Sequence, residues 1–114
     1  MRKLNMEIKV SQKFDLLVIG GGSGGLAHAQ RAAEYGVNAA VVEHGPLGGT
    51  CVNVGCVPKK RYSYAAHYFD DFADSAGFGW ELPKPTFNWR TLIDNKDKEI
   101  NRLNGIYEGL LSSS

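Results

Sequence analysis

The stretch that decides the fold runs from 14 to 25 and reads Phe-Asp-Leu-Leu-Val-Ile-Gly-Gly-Gly-Ser-Gly-Gly. Its apolar part, 14–19, predicts a buried β-strand that is ended by glycine. Residues 24–35 predict an alanine-rich helix that stops at Gly36, and 39–43 predict a second short strand. A strand, a helix and a strand in this order form a βαβ unit, whose two strands should lie parallel. The expected class is therefore α/β and Rossmann-like.

Composition narrows the function classes. The chain has 114 residues, with 13 Lys and Arg against 12 Asp and Glu, a formal charge of +1. This balance gives no strong field to attract nucleic acid or an anionic membrane, and no apolar run approaches the roughly 20 residues of a membrane span. Residues 1–13 are basic without an apolar core, so we interpret them as an N-terminal extension and not as a secretory signal.

Glycines follow the first strand in the pattern G-x-G-x-x-G, with Gly20, Gly22 and Gly25 at the fixed positions. The pattern predicts a dinucleotide site, because it ends a strand and opens a helix whose free N–H groups can hold a pyrophosphate. Glu43, 18 residues beyond Gly25, is placed to accept hydrogen bonds from a ribose diol and favours FAD or NAD over NADP. The alternative is a glycine-rich turn, with Glu43 only capping a strand.

A pair of cysteines lies in a second glycine-rich stretch. Residues 44–55 predict a loop, and a helix is predicted from near Cys56, with Pro58 in its first turn, to about residue 73. If the chain turns into a helix at Cys56, its sulfur can come within bonding distance of Cys51. A helix N-terminus and Lys59 one turn on would both favour a Cys56 thiolate, the species that exchanges with disulfides.

Two other interpretations of the cysteine pair stay open. Both thiols could be buried and inert, since free cysteine is often buried. A zinc ion could instead be held with His44 or His67, although four intervening residues are at the upper edge of the usual ligand spacing.

The last predicted helix covers 88–111, after a connector at 77–87. Its apolar residues recur at spacings of three and four and form one stripe: Trp89, Leu92, Ile93, Ile100, Leu103, Tyr107 and Leu110. Such a stripe is typical of a helix packed on a core. A short coiled-coil seam is the alternative, interrupted by Lys96.

Taken together, these motifs resemble the glutathione reductases of the FAD-dependent pyridine nucleotide–disulfide oxidoreductase family. The resemblance is carried by 14–26, by Glu43 and by Leu-Gly-Gly-Thr-Cys-Val-Asn-Val-Gly-Cys-Val-Pro-Lys-Lys at 47–60. It extends over about 14–111. It implies FAD as cofactor, NADPH as co-substrate, glutathione disulfide as substrate and a homodimer. The location that we expect from the residues is the cytoplasm, because nothing indicates export, with a short mitochondrial presequence in 1–13 as the alternative.

The resemblance also implies roles by position. Cys51 and Cys56 would form the redox-active disulfide, with Cys51 as the thiol that attacks the substrate and Cys56 as the thiol beside the flavin. Lys59 would lie near the reactive nitrogen of the flavin, and Ser23 and Tyr107 would contact the substrate. The implied cofactor contacts are Gly20, Gly22, Ser23, Gly24, Gly25, Glu43, Thr50, Cys51 and Lys59.

Two residues bear on the choice of substrate within the family. Ala27 matches glutathione reductases, whereas trypanothione reductases place an acid at that position. Gln30 departs from the arginine of many glutathione reductases. A trypanothione reductase or another disulfide reductase of the family therefore stays as the alternative.

Complete enzymes of this family also have NADPH, central and interface domains. We therefore expect 14–114 to be the N-terminal part of an FAD-binding domain, in a truncated or partial chain that lacks those domains and is inactive alone. The competing class is a non-catalytic remnant that binds a dinucleotide weakly or not at all.

Overall fold

The structure, a computed structural model, describes residues 12–113. The predicted N-terminal extension, 1–13, lies outside the described residues except for its last two positions. The elements in chain order are β1 (Leu16–Ile19), α1 (Ser23–Glu34), β2 (Ala39–Val42), α2 (Gly49–Asn53), α3 (Cys56–Asp74), a 3₁₀ turn (Ser75–Phe78) and α4 (Trp89–Ser112).

The two strands pair in parallel, with Leu16 opposite Ala39 and Ile19 opposite Val42. The helix α1 between them makes the crossover that a parallel pair requires. The predicted βαβ unit and the α/β class are therefore confirmed, with the first strand two residues shorter at its start than the apolar run.

The core lies on only one face of this sheet. Leu26 and Ala29 of α1 are each 4% exposed, and α1 packs against both strands. The prediction that the first strand is buried is wrong, because alternate residues of β1 point away from α1. Leu17 is 56% exposed and Ile19 is 86% exposed, so the second face of the sheet is apolar and uncovered by the described residues.

The segment predicted as a loop at 44–55 contains a helix. Residues 49–53 form α2, a single turn whose Val52 is buried. It precedes α3, which begins at Cys56 as predicted and has Pro58 buried in its first turn. The glycine-rich sequence did not predict α2, because this helix is stabilised by packing and not by local helix propensity.

The two long helices pack against each other through aromatic and charged side chains. The ring of Tyr62 on α3 stacks on Trp89 of α4, with centroids 5.9 Å apart. Arg61 lies 3.7 Å from Glu99 across the same interface. Asn88 caps α4 by accepting a hydrogen bond from the Thr91 N–H at 3.0 Å. The apolar stripe of α4 is half-buried over most of its length, so the helix packs on α2 and α3 more loosely than in a closed core.

The described chain is extended. Its Cα radius of gyration is 22.3 Å, against about 13 Å for a compact domain of this length. None of the helices within 12–113 combines the length and apolar character needed to cross a membrane.

Candidate functional site

The first glycine loop turns tightly between β1 and α1. Gly20 has a φ of +104°, a conformation that side chains disfavour, and its N–H donates to the Val42 carbonyl at 2.8 Å. Gly25 packs so closely on the loop that an added Cβ would lie 1.9 Å from the Gly20 oxygen. Gly20 therefore forms the turn, and Gly25 lies at a position of close packing where no side chain fits.

The start of α1 fits an anionic diphosphate. This helix has 12 residues, its N-cap Gly22 offers no side-chain cap, and its first turn contains no acid. The helical hydrogen bonds begin with the Leu26 N–H donating to the Gly22 carbonyl at 2.9 Å. The N–H groups of Ser23, Gly24 and Gly25 precede that bond, and such groups at a helix N-terminus bind phosphate.

Glu43 lies directly after β2 and holds the glycine loop. Its Oε2 accepts a hydrogen bond from the Gly21 N–H at 2.7 Å, and its Oε1 accepts from the N–H groups of His44 at 2.7 Å and Gly45 at 2.9 Å. These backbone donors, with Gly45 first, hold the pKa of the Glu43 carboxyl below its usual value. Since a carboxylate offers about four acceptor sites, Oε2 retains capacity for a ribose hydroxyl.

A second pair of glycines lies against this loop, backbone to backbone. The Gly48 N–H donates to the Gly21 carbonyl at 2.8 Å, and Gly22 and Gly48 form a parallel bridge. Gly49 has a φ of +62°, and a Cβ there would lie 2.8 Å from the Gly22 Cα. We call these four residues, Gly21, Gly22, Gly48 and Gly49, the glycine seam. It joins the first glycine loop, 20–25, to the segment that carries the cysteines.

Cys51 and Cys56 form a disulfide with a Cα–Cα distance of 4.6 Å. Cys56 is the first residue of the 19-residue helix α3, as predicted. Cys51 was expected in a loop, but it lies within α2. The interpretation of two unbonded, inert thiols is wrong, because each sulfur is the partner of the other. Within 12–113, no group of three or more His, Cys, Asp and Glu could hold a metal ion.

Three other predicted site residues, Thr50, Lys59 and Tyr107, lie on three different helices. Thr50 is exposed on α2, and Lys59 is exposed one turn into α3. Tyr107 is half-buried on α4. No hydrogen bond, ion pair or ring contact within the described residues joins Tyr107 to the glycine loop or to the cysteines.

Two residues that sequence reasoning missed hold the cysteine segment. Asn53, the last residue of α2, donates from Nδ2 to the carbonyls of Gly49 at 2.9 Å and Leu47 at 3.2 Å. Asn104 of α4 donates from its own Nδ2 to the Leu47 carbonyl at 2.7 Å. Neither asparagine belongs to a sequence motif that predicts a catalytic or binding role. Their role is visible only in the structure, where both donate to the Leu47 carbonyl.

A cleft lies elsewhere on the chain. It has a volume of about 590 Å³ between α3 and the connector to α4, and its lining includes Tyr62, Phe69, Phe87 and Trp89. It contains none of the predicted site residues. The candidate site is therefore defined by the glycine seam and the disulfide.

A βαβ unit whose first glycine loop packs against the segment that carries a disulfide at a helix start is typical of the class of dinucleotide-dependent disulfide oxidoreductases. The family model described as pyridine nucleotide-disulphide oxidoreductase matches residues 14–114. The chain belongs to this family.

Similar relatives of the chain are named as reductases of disulfide substrates. Glutathione reductases of Nostoc sp. and Burkholderia cepacia are 46% and 48% identical over 101 residues, which cover 89% of this chain. A trypanothione reductase of Trypanosoma congolense is 46% identical over 117 residues and covers 92% of it. The chain spans only 22% of the length of both glutathione reductases and 24% of the trypanothione reductase.

Proposed function

We propose that this chain is the N-terminal FAD-binding and redox-disulfide part of a disulfide reductase, which uses NADPH to reduce glutathione disulfide. The observation that carries the proposal is the glycine seam, because it sets the dinucleotide loop directly against the segment that contains Cys51. A nucleotide cofactor and the disulfide would then share one rigid backbone unit.

The residues of the chain divide the work of binding the cofactor. The N-terminus of α1, including Ser23 and Gly24, would hold the diphosphate, and Glu43 would accept a hydrogen bond from the ribose. Thr50 and Lys59, both exposed next to the disulfide in sequence, would contact the flavin. FAD, when bound, would supply the electron pair that it receives as a hydride from NADPH.

The two cysteines would carry out the exchange. After reduction, the Cys51 thiolate attacks one sulfur of the substrate, breaks its disulfide, forms a mixed disulfide and releases the first thiol. The Cys56 thiolate then attacks the Cys51 sulfur, restores the intramolecular disulfide and releases the second thiol. The N-terminal field of α3 and the Lys59 ammonium favour the Cys56 thiolate.

Glutathione disulfide is the proposed substrate because Ala27, exposed on α1, leaves that position without the acid that would suit a cationic disulfide. Tyr107 would contact the substrate from α4. A homodimer in the cytoplasm or in mitochondria completes the proposal. The competing proposal is a non-catalytic chain that binds a dinucleotide weakly or not at all, and the uncovered apolar face of the sheet favours it.

NADPH oxidation at 340 nm, with FAD and either glutathione disulfide or trypanothione disulfide, tests the proposal. A longer protein that carries this segment should turn over glutathione disulfide faster, and Lys59→Met should lower kcat. Lys60→Met is the matched control, because Lys60 lies over the Tyr64 ring, 5.4 Å from its centroid. The 114-residue chain alone should show no turnover. Activity that persists in Cys51→Ser would contradict the proposal.

A further inference from the structure

The side chain of Asn53 organises the segment that carries Cys51. The two N–H bonds of its Nδ2 are shared among three carbonyls, those of Gly49 at 2.9 Å, Leu47 at 3.2 Å and Pro46 at 3.4 Å. The segment from 46 to 53 is therefore folded around one amide group. Because α2 is a single turn entered through a left-handed glycine, local helix propensity contributes little to holding this shape.

Asn104 ties this folded segment to α4. Its Nδ2 donates to the Leu47 carbonyl at 2.7 Å and to the Asn53 Oδ1 at 3.1 Å. The two amides and one carbonyl form a network between parts of the chain more than 50 residues apart. We call these hydrogen bonds of Asn53 and Asn104 the amide clamp.

The redox state decides how much the clamp matters. In the oxidised chain, the covalent bond itself holds Cys51 beside Cys56, with 4.6 Å between their Cα atoms. Reduction adds two electrons and two protons, breaks the S–S bond and yields two thiols. From that moment α2 is held only by non-covalent contacts.

We propose that Asn104, acting through Asn53, is a positioning residue that keeps Cys51 in bonding range of Cys56 after reduction. The inference rests on the proposed redox role of the cysteine pair. A held dithiol has a high effective concentration for closing its disulfide, because the entropy of ordering has already been lost. Loosening the clamp frees the reduced form more than the oxidised form, so it should shift the equilibrium towards the dithiol.

The test is a redox titration of the 114-residue chain with reduced and oxidised dithiothreitol, read by alkylation and mass spectrometry. Each cycle converts the Cys51–Cys56 disulfide and one dithiothreitol into two protein thiols and one cyclic disulfide. Asn104→Ala should lower the equilibrium constant for disulfide closure about 3- to 10-fold, the range expected for a lost hydrogen bond. That corresponds to a reduction potential about 15–30 mV less negative.

Asn101→Ala is the matched control, because Asn101 is an exposed asparagine one turn earlier on α4. It should leave the equilibrium unchanged. The isosteric Asn53→Asp, which removes the Nδ2 donors, should also lower it. In the double variant, the equilibrium constant for disulfide closure should be no lower than in the more affected single variant, since the two residues act as one network.

Each outcome decides between the proposals. If the wild-type disulfide cannot be cycled, the proposed function fails together with the inference. If it cycles and Asn104→Ala behaves as Asn101→Ala does, only the inference is overturned. Should Asn104→Ala fail to fold, amide exchange in the reduced wild-type chain decides: the α2 amides should stay protected, and loss of their protection on reduction overturns the clamp.

Discussion

Replacing Gly25 by alanine should destabilise the βαβ unit, whereas the same change at Gly24 should not. An ideal Cβ at Gly25 would lie 1.9 Å from the Gly20 oxygen and 3.2 Å from Val18 Cγ1, whereas real Cβ atoms almost never come closer than 3.0 Å to another heavy atom. Helix and loop would have to separate by about 1 Å. At Gly24, an added Cβ meets no atom of the described chain within 4 Å.

Comparing Gly25→Ala with Gly24→Ala isolates the energetic cost of the steric clash at Gly25. Both variants gain up to about 1 kcal/mol from the helix propensity of alanine, so this gain cancels between them. Overpacking costs about 1–3 kcal/mol. The Gly20 carbonyl cannot retreat freely, because the Gly20 N–H donates to Val42 at 2.8 Å, so we expect the upper half of that range. Gly25→Ala should be less stable than Gly24→Ala by about 2–3 kcal/mol, roughly 30- to 150-fold in the unfolding equilibrium.

Urea unfolding of the oxidised chain, followed by far-UV circular dichroism, measures the difference, and amide exchange of β1 and β2 assigns it to the βαβ unit. FAD titration should show weaker binding by Gly25→Ala, because the clash displaces the first glycine loop. Equal stability of Gly25→Ala and Gly24→Ala would refute the reasoning. A large loss in both variants would mean that the loop requires glycine for a reason other than this contact.

Three further predictions follow from the site and the sheet. Lowering the pH should loosen the glycine loop, because backbone donors lower the pKa of Glu43 in the folded chain. The Glu43 carboxylate therefore stabilises the fold above the unfolded-state pKa, and this stabilisation is lost as the pH falls through the lower pKa of the folded chain. Glu43→Gln should remove this part of the pH dependence of Gly21 amide exchange, and an unchanged profile would contradict it. In the FAD-bound protein, Cys51→Ser should show long-wavelength absorbance without reductant and Cys56→Ser should show none; a band only in Cys56→Ser would reverse the two roles. The chain alone should melt below about 60 °C, because one face of its sheet is uncovered, and circular dichroism showing a cooperative melt above that temperature would prove this wrong.

Local signals in the sequence predicted the elements that depend on local chemistry. The strand–glycine–helix pattern predicted β1, α1 and the glycine that ends β1, since glycine and apolar runs act within a few residues. The start of α3 at Cys56 was equally visible, because a glycine and a proline flank it. The burial of β1 was not predictable, because alternate exposure of Leu17 and Ile19 depends on what covers the second face of the sheet.

The features that could not be predicted from the sequence, α2 and the amide clamp, depend on contacts between residues that are distant in the chain. Five residues with a glycine at their start would not form α2 alone, and Val52 and Asn53 hold it through burial and carbonyl contacts. Asn104 lies 57 residues from Leu47, and an asparagine four residues after Ile100 and three before Tyr107 lies on the face of the apolar stripe without indicating its partner. The amide clamp could therefore be seen only once α4 had been placed beside α2.

The glycine seam explains why two glycine-rich stretches occur close together in this chain. Gly22 serves the first motif as the N-cap of α1, yet its Cα is also the surface on which Gly49 packs. A side chain at Gly49 would meet that Cα at 2.8 Å, and one at Gly21 would meet Leu47 at 2.6 Å. The first glycine loop and the cysteine segment can approach this closely only because Gly21, Gly22 and Gly49 carry no side chain at the contact. The two motifs that the sequence presents separately are one structural unit, so a substitution at Gly21, Gly22 or Gly49 of the glycine seam should disturb both nucleotide binding and the disulfide.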